Sequence, residues 1–375
     1  WWQNLWSSKW TSKIYFKDSL WVIREPYVYY WKNADGELPW WPANLYESHK
    51  MHEIAFSIPD SASWSWTMYV EVDWYISNAL PFIIREWNIY HVKSNWNDIS
   101  GDWSFDNPWK TVWKADSNPT PGSTTYFHGE MQFGSKDETW AWAYWNEYRA
   151  SGDYSNQFGL IVYPNSDISI VGHYWFRTYK ATGQVVSKFN VRASNCDENA
   201  DGQPINCYVS PSNGQRGTIA IQTTAYGRII ANDISDWEGG CASAQHWAIS
   251  GGQNSVFGVQ ILGNEIYDYG CPWTTKFQHT TYLTVRSWGN IKVDAWRMGW
   301  NYLHDNYAKN WLHNYDQKVW STGACGTPVG TLIINDNFVV NQWWAWILVG
   351  AHCGWKNDFE IYNNVLINTG LASDW

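Results

Sequence analysis

The chain has 375 residues and a formal net charge of −10, from 35 acidic and 25 basic side chains, and 33 of its residues are Trp. Acid is spread throughout and no basic patch stands out, which argues against a nucleic-acid partner and is compatible with calcium. No apolar run is long enough to span a membrane, and the length allows a large core and two domains.

The first 86 residues read as short strands separated by turns: Lys13-Ile-Tyr-Phe16, Ile54-Ala-Phe-Ser-Ile58, Thr67-Met-Tyr-Val-Glu-Val72 and Leu80-Pro-Phe-Ile-Ile84. Strands of this length predict a small β-sandwich. The run Gln3-Asn-Leu-Trp6-Ser-Ser-Lys-Trp10, the Ile58-Pro59 step and Val70-Glu-Val-Asp-Trp74 leading to Ser77-Asn-Ala-Leu-Pro-Phe82 resemble an IPT/TIG domain, an immunoglobulin-like module of surface proteins. That family usually has glycine where this chain has Trp6, Trp10 and Trp74.

The boundary is expected near Glu86, giving an Ig-like sandwich over 1–86 and a second domain over 87–375, joined directly because no Pro, Gly or Ser linker separates them. Asn95-Trp96-Asn97-Asp98, Gly101-Asp102-Trp103-Ser104 and Asn107-Pro108-Trp109-Lys110-Thr111 are similar to the entry sequence of pectate-lyase-like β-helices. In that pattern Trp96 and Trp103 stand in glycine slots, whereas an aromatic is normal at Trp109. Leu160-Ile-Val-Tyr-Pro164 and Ile168-Ser-Ile-Val171 fit a first full coil.

Further on, Asp197-Glu-Asn199-Ala-Asp201-Gly202 matches the opening of a calcium loop, with oxygen ligands at alternate positions and a glycine for the turn. Tyr208 stands where an EF-hand would place its bidentate Glu, so a full EF-hand is excluded. The expectation is a shorter calcium loop at Asp197, Asn199 and Asp201, against the alternative of a solvated acidic turn. All six cysteines lie beyond residue 195. Their spacing favours disulfides (Cys196 with Cys207, Cys241 with Cys271, Cys325 with Cys353) over a zinc site, and hence an oxidising, secreted or cell-surface setting.

From Ile230 to Gly370 one pattern returns five times: Asn, any residue, an aliphatic, any residue, then Asp or Asn. It reads Asn232-Asp-Ile-Ser-Asp236, Asn264-Glu-Ile-Tyr-Asp268, Asn301-Tyr-Leu-His-Asp305, Asn337-Phe-Val-Val-Asn341 and Asn364-Val-Leu-Ile-Asn368. Alternation predicts strands, and recurrence at intervals of 27 to 37 residues predicts a solenoid. Intervals this uneven suit a right-handed parallel β-helix, whose rungs stay in register about 4.8 Å apart while its loops vary. Ile234, Ile266, Leu303, Val339 and Leu366 should stack inward, and the opening asparagines should form a side-chain ladder. The second and fourth residues should point outward, so that Tyr267, His304 and Val340 share one external column.

Between 276 and 318 His, Arg, Tyr and Asp concentrate, including His279, Arg286 and Arg297. If Leu312 faces inward, His313 and Tyr315 face outward. Cleavage of a uronate polysaccharide needs a base to abstract the proton beside the carboxylate and a cation to stabilise the charge that develops. The candidates are His313 or Tyr315 as base, Arg297 as charge stabiliser, and Asp316 as orienter or calcium ligand.

Six residues after the ladder Asn, two coils have Gly270 and Gly370 but a third has Trp343. Glycine adopts positive φ freely and a bulky residue does not. Trp6, Trp10, Trp74, Trp96, Trp103 and Trp343 are therefore expected to be glycine in the native protein, through UGA codons that some bacterial lineages reassign to glycine. Trp109 and Trp300 are expected to be genuine. The alternative is that the indoles are real and form sugar-stacking platforms. The chain begins without Met and reads as a fragment of a longer, extracytoplasmic bacterial protein. Its expected role is to bind or cleave polysaccharide, possible uronate lyase chemistry included, and the competing class is a non-catalytic adhesin or structural solenoid.

Overall fold

The computed structural model describes residues 12–18, 20–33, 52–58, 66–72, 74–82, 89–111, 114, 122–134, 146–147, 158–172, 176–179, 183–193, 197–198, 204–205, 215–222, 226–236, 245–251, 258–270, 278–283, 296–316, 331–344, 347–351 and 359–370. The chain forms two compact units, Trp1–Trp87 and Asn88–Trp375. Trp6, Trp10, Asn199, Asp201, Arg286 and all six cysteines lie outside the described residues. No helix is long and apolar enough to cross a membrane among those described.

In the first unit Lys13–Lys17 lies between Ile23–Arg24 and Trp66–Val72, and Trp66–Val72 also pairs with Tyr75–Ile76 and Leu80–Phe82. Val28–Asn33 and His52–Phe56 form a second antiparallel sheet. Alternation places Ile14 and Val70 from the first sheet against Val28, Ile54 and Phe56 from the second. Phe16 completes this core, with its ring 5.4 Å from Phe56 and 5.0 Å from Phe82. The unit is thus a small β-sandwich. Its first hairpin closes on the buried carboxylate of Asp18, which accepts from the amides of Leu20 at 3.0 Å and Val22 at 2.8 Å.

The second unit is a right-handed parallel β-helix whose coils each visit three sheets in turn. One coil runs through Arg228–Ile230, Asp233–Asp236 and Gln245–Gly251, in sheets of nine, eight and seven strands respectively. In the eight-stranded sheet Val191, Ile234, Ile266, Leu303, Val339 and Leu366 are direct register partners from rung to rung. Ile234, Ile266, Leu303 and Val339 are fully buried, and Leu366 packs half-buried against the same core. Burying such a side chain contributes about 1.5–3 kcal/mol, so the aliphatic column is a main stabiliser of the stack.

The asparagine ladder forms as the pattern requires. Asn232, Asn264, Asn301 and Asn337 each donate from Nδ2 to Oδ1 of the next ladder residue, at 3.0, 3.0, 2.9 and 2.9 Å. The same oxygens accept the backbone amides of the preceding asparagines. Each Nδ2 also reaches a backbone carbonyl of the preceding rung, from Val186 to Ile334. The ladder begins beneath Phe189, whose amide donates to Asn232 Oδ1 at 3.0 Å.

Left-handed backbone precedes all five units and closes four of them. The residue before the ladder Asn has φ between 53° and 62° at Ala231, Gly263, Trp300, Asp336 and Asn363. The last residue of the unit is left-handed at Asp268, Asp305, Asn341 and Asn368. Asn and Asp tolerate this region better than other side chains, which explains why they end the pattern. Trp300 departs from expectation, because the ladder turn forces φ 55° on a residue read as ordinary. Trp74 and Trp103 are left-handed as expected, with φ 73° and 69°, while Trp96 and Trp343 are not. At Gly270 a Cβ would lie 2.5 Å from the Ala308 amide nitrogen, so glycine is required there. The Trp343 turn closes without that conformation, its amide donating to the Asn306 carbonyl at 3.0 Å.

Candidate functional site

The two outward positions of each unit form two columns on the outer face of the eight-stranded sheet. One runs through Asn190, Asp233, Glu265, Tyr302, Phe338 and Val365, and the other through Arg192, Ser235, Tyr267, His304, Val340 and Ile367. The expected column of Tyr267, His304 and Val340 is present in register. Beside it, two acids on adjacent rungs face one imidazole.

His304 Nε2 lies 3.1 Å from Glu265 Oε1, and its Nδ1 lies 2.8 Å from Asp305 Oδ2. The ring stacks on Tyr267 at 4.9 Å with 8° between planes, and on Tyr302 at 4.4 Å with 25°. About a fifth of the His304 and Glu265 side chains remains exposed, so the group is reachable from solvent. Burial, followed by the neighbouring charge of Glu265, pushes the Asp233 carboxyl up to about 6, with a Tyr267 hydrogen bond, His304 and Arg192 opposing. Burial would lower His304, but its hydrogen bonds to Glu265 and Asp305 outweigh that and raise it. Tyr267 and Tyr302 are pushed up to about 12, chiefly by burial. The site therefore places a carboxyl whose pKa is raised beside a second carboxyl that meets an imidazole whose own pKa is raised.

The residues expected to carry catalysis are divided between two other sheets. His313 lies in Asn310–Asp316 of the seven-stranded sheet, with Nδ1 3.0 Å from His279 Nε2 and its ring edge-on to Tyr282 at 4.9 Å. Tyr282 also stacks on His279 and lies 5.5 Å from Trp247. Burial lowers His313 to about 4, so the imidazole is neutral near pH 7. Tyr315 and Asp316 follow on the same strand, in register with Gly350 and Ala351, and their side chains lie outside the described residues. Arg297 sits in Trp296–Gly299 of the nine-stranded sheet, where it donates from Nε to Asn335 Oδ1 at 2.9 Å and lies over the Trp300 ring at 4.5 Å. The structure thus keeps three candidates on one strand and puts Arg297 on another sheet. Asp197 belongs to a two-stranded ribbon, Asp197–Glu198 with Pro204–Ile205.

Asp233 and Glu265 were absent from the residues singled out by sequence, yet the signal existed. Both occupy the second position of successive units, the only two units with an acid there.

Taken together, a stack of parallel sheets with an asparagine ladder and a carboxylate pair across two rungs defines a parallel β-helix with a candidate acid–base site on an outer face. No family model matches the chain, and no curated protein does. Among solved structures it is similar to a rhamnogalacturonan lyase, at 10% identity and TM-score 0.34 over 74% of this chain and 87% of that one. It is similar to a GH136 lacto-N-biosidase from Eubacterium ramulus, at 10% and 0.38 over 74% and 56%. It is also similar to pectate lyase Pel9A, at 11% and 0.35 over 76% and 78%. The β-helix assignment rests on the strand register of this chain, and nothing about the site is carried over from these likenesses.

Proposed function

We propose that the protein is an extracytoplasmic, carbohydrate-active β-helix that hydrolyses polysaccharide on the outer face of its eight-stranded sheet. The observation that supports this reading is the pairing of Asp233 with Glu265 on adjacent rungs, where burial raises Asp233 to about 6 and Glu265 meets His304, an arrangement that lets Asp233 serve as the acid and Glu265 as the base or nucleophile. Hydrolysis of a glycosidic bond needs that division of labour. Asp233 gives its proton to the bridging oxygen as the bond to the anomeric carbon breaks. Glu265 either attacks the anomeric carbon, after which Asp233 takes a proton from the water that releases the sugar, or deprotonates a water that attacks it, that proton then returning to Asp233 through solvent. In both cases the water's O–H becomes the new sugar hydroxyl. The N-terminal sandwich, read as an IPT/TIG-like surface module, would present the β-helix outside the cytoplasm.

A second reading is cleavage of a uronate polysaccharide by elimination. It uses His313 or Tyr315 as base, Arg297 as charge stabiliser, Asp316 as orienter, and calcium held by Asp197, Asn199 and Asp201. The neutral His313, 3.0 Å from His279, favours it, since an uncharged imidazole can accept a proton. The placement of Arg297 on a different sheet weighs against it.

One experiment separates the readings. The protein is incubated with neutral and uronate polysaccharides, with calcium or with chelator, while reducing ends and ultraviolet absorbance are followed. The hydrolytic reading expects reducing ends without absorbance, lost by roughly 10²–10⁴-fold in Asp233→Asn or Glu265→Gln. Absorbance from an unsaturated product, dependent on calcium and lost in His313→Ala, would move the assignment to the lyase. Binding without turnover would move it to the adhesin.

A further inference from the structure

We infer that His304 is a positioning residue that decides which of the two carboxyl groups keeps the proton. This rests on the hydrolytic reading of the same site. Two carboxyl groups in register on rungs about 4.8 Å apart repel each other when both are ionised, so the first proton the pair takes up relieves that repulsion. Left to themselves an aspartate and a glutamate would compete for it.

The geometry breaks that symmetry. His304 reaches Glu265 at 3.1 Å through Nε2, while Asp305 holds Nδ1 at 2.8 Å and so fixes which nitrogen points at the pair. Tyr267 and Tyr302 stack on the ring and restrict its rotation. The charged and titratable groups around this arrangement are Glu265 and Asp305 on the imidazole, Tyr267 hydrogen-bonded to Asp233, and Arg192 one rung before Ser235. A cation placed against Glu265 keeps the negative charge there. The proton is left on Asp233, where burial already favours the neutral form. His304 acts through Glu265 and does not touch the reacting atoms in this scheme.

The test compares pH–rate profiles of the full chain with those of His304→Gln and Asp305→Asn. His304→Gln should lower kcat about tenfold or more, change KM little, and move the acidic limb to higher pH. Asp305→Asn should move the acidic limb the same way by a smaller amount, because the ring loses the charged partner that fixes which nitrogen points at Glu265. A uniform loss of activity with an unchanged profile would overturn the inference. As a readout independent of turnover, the ¹⁵N shifts of His304 should titrate above free histidine in the wild type and at lower pH in Glu265→Gln. An unmoved His304 titration in that variant would also overturn it. If Asp233→Asn and Glu265→Gln keep wild-type activity, the hydrolytic reading itself fails. If both are inactive while the His304 profile and titration stay put, only this inference fails.

Discussion

Trp74 is 92% exposed and held at φ 73°, a combination that neither packing nor backbone preference favours. A left-handed L-residue costs roughly 1–2 kcal/mol, and only glycine escapes that cost. Trp103, at φ 69° and 40% exposed, and Trp21, at φ 63° and 75% exposed, share the problem. Trp300 does not: its φ is also positive, but it is buried and Arg297 lies over its ring. Positive φ alone therefore does not mark an indole as replaceable, because Trp300 combines it with burial. Trp74→Gly should stabilise the chain by about 1 kcal/mol in urea unfolding, whereas at Trp103 the gain is offset by loss of the ring's packing on Tyr90. Trp109→Gly should destabilise it by several, on the order of 3–5 kcal/mol, because that ring is buried against Tyr90. At the gene, UGA at Trp74 and Trp103 with UGG at Trp109 supports native glycine, and UGG at all three ends the idea.

Along the stack, each ladder asparagine ties its rung to its neighbours through several hydrogen bonds. Asn301 donates to Asn337 Oδ1 and to the Ile261 carbonyl, and accepts from both the amide and the Nδ2 of Asn264. Asn301→Ala leaves several of these buried partners unmatched at about 1–3 kcal/mol each, so the expected loss in denaturant unfolding is roughly 3–5 kcal/mol. Asn364→Ala, at the half-buried last rung of the described ladder, should cost less than half as much. Equal costs would mean that the ladder does not act as a connected column. This element was legible because one residue type recurs where the fold needs one hydrogen-bonding geometry. The last letter of the pattern was legible only as polar, and its left-handed turn role appears with the backbone. The grouping of Arg297 with His313 misled for a definite reason. A coil crosses three sheets in about thirty residues, so nearness in sequence places two side chains on different faces, while the same position in successive units places them together. Asp233 and Glu265 follow the second rule.

Across the β-helix, three imidazoles whose pKa values are lowered by burial are expected to weaken the fold in acid. In the first coils His91 Nδ1 lies 2.7 Å from His128 Nε2, and both rings are packed among Phe105, Tyr126 and Tyr163. Burial first, with Lys93 nearby, lowers His91 to about 4; burial, His91 and Lys93 lower His128 to about 3. His313, several coils away, is lowered to about 4. In the unfolded chain each would take up a proton near pH 6.5. Between about pH 6.5 and 4 the unfolded state therefore binds more protons at three sites, and stability falls as pH falls. Asp233 works in the opposite sense: its folded value near 6 lies above the unfolded one, so its contribution is present at low pH and fades as pH rises from about 4 to 6. Three groups outweigh one, and the net expectation is a midpoint temperature that drops on acidification through this window. His91→Gln with His128→Gln should lose stability at neutral pH by breaking the pair, yet show a shallower dependence on pH because two of the three proton-binding differences are gone. Thermal unfolding of both forms from pH 4 to 7 checks this, and parallel curves for the two would show that the imidazole pair does not carry the acid response.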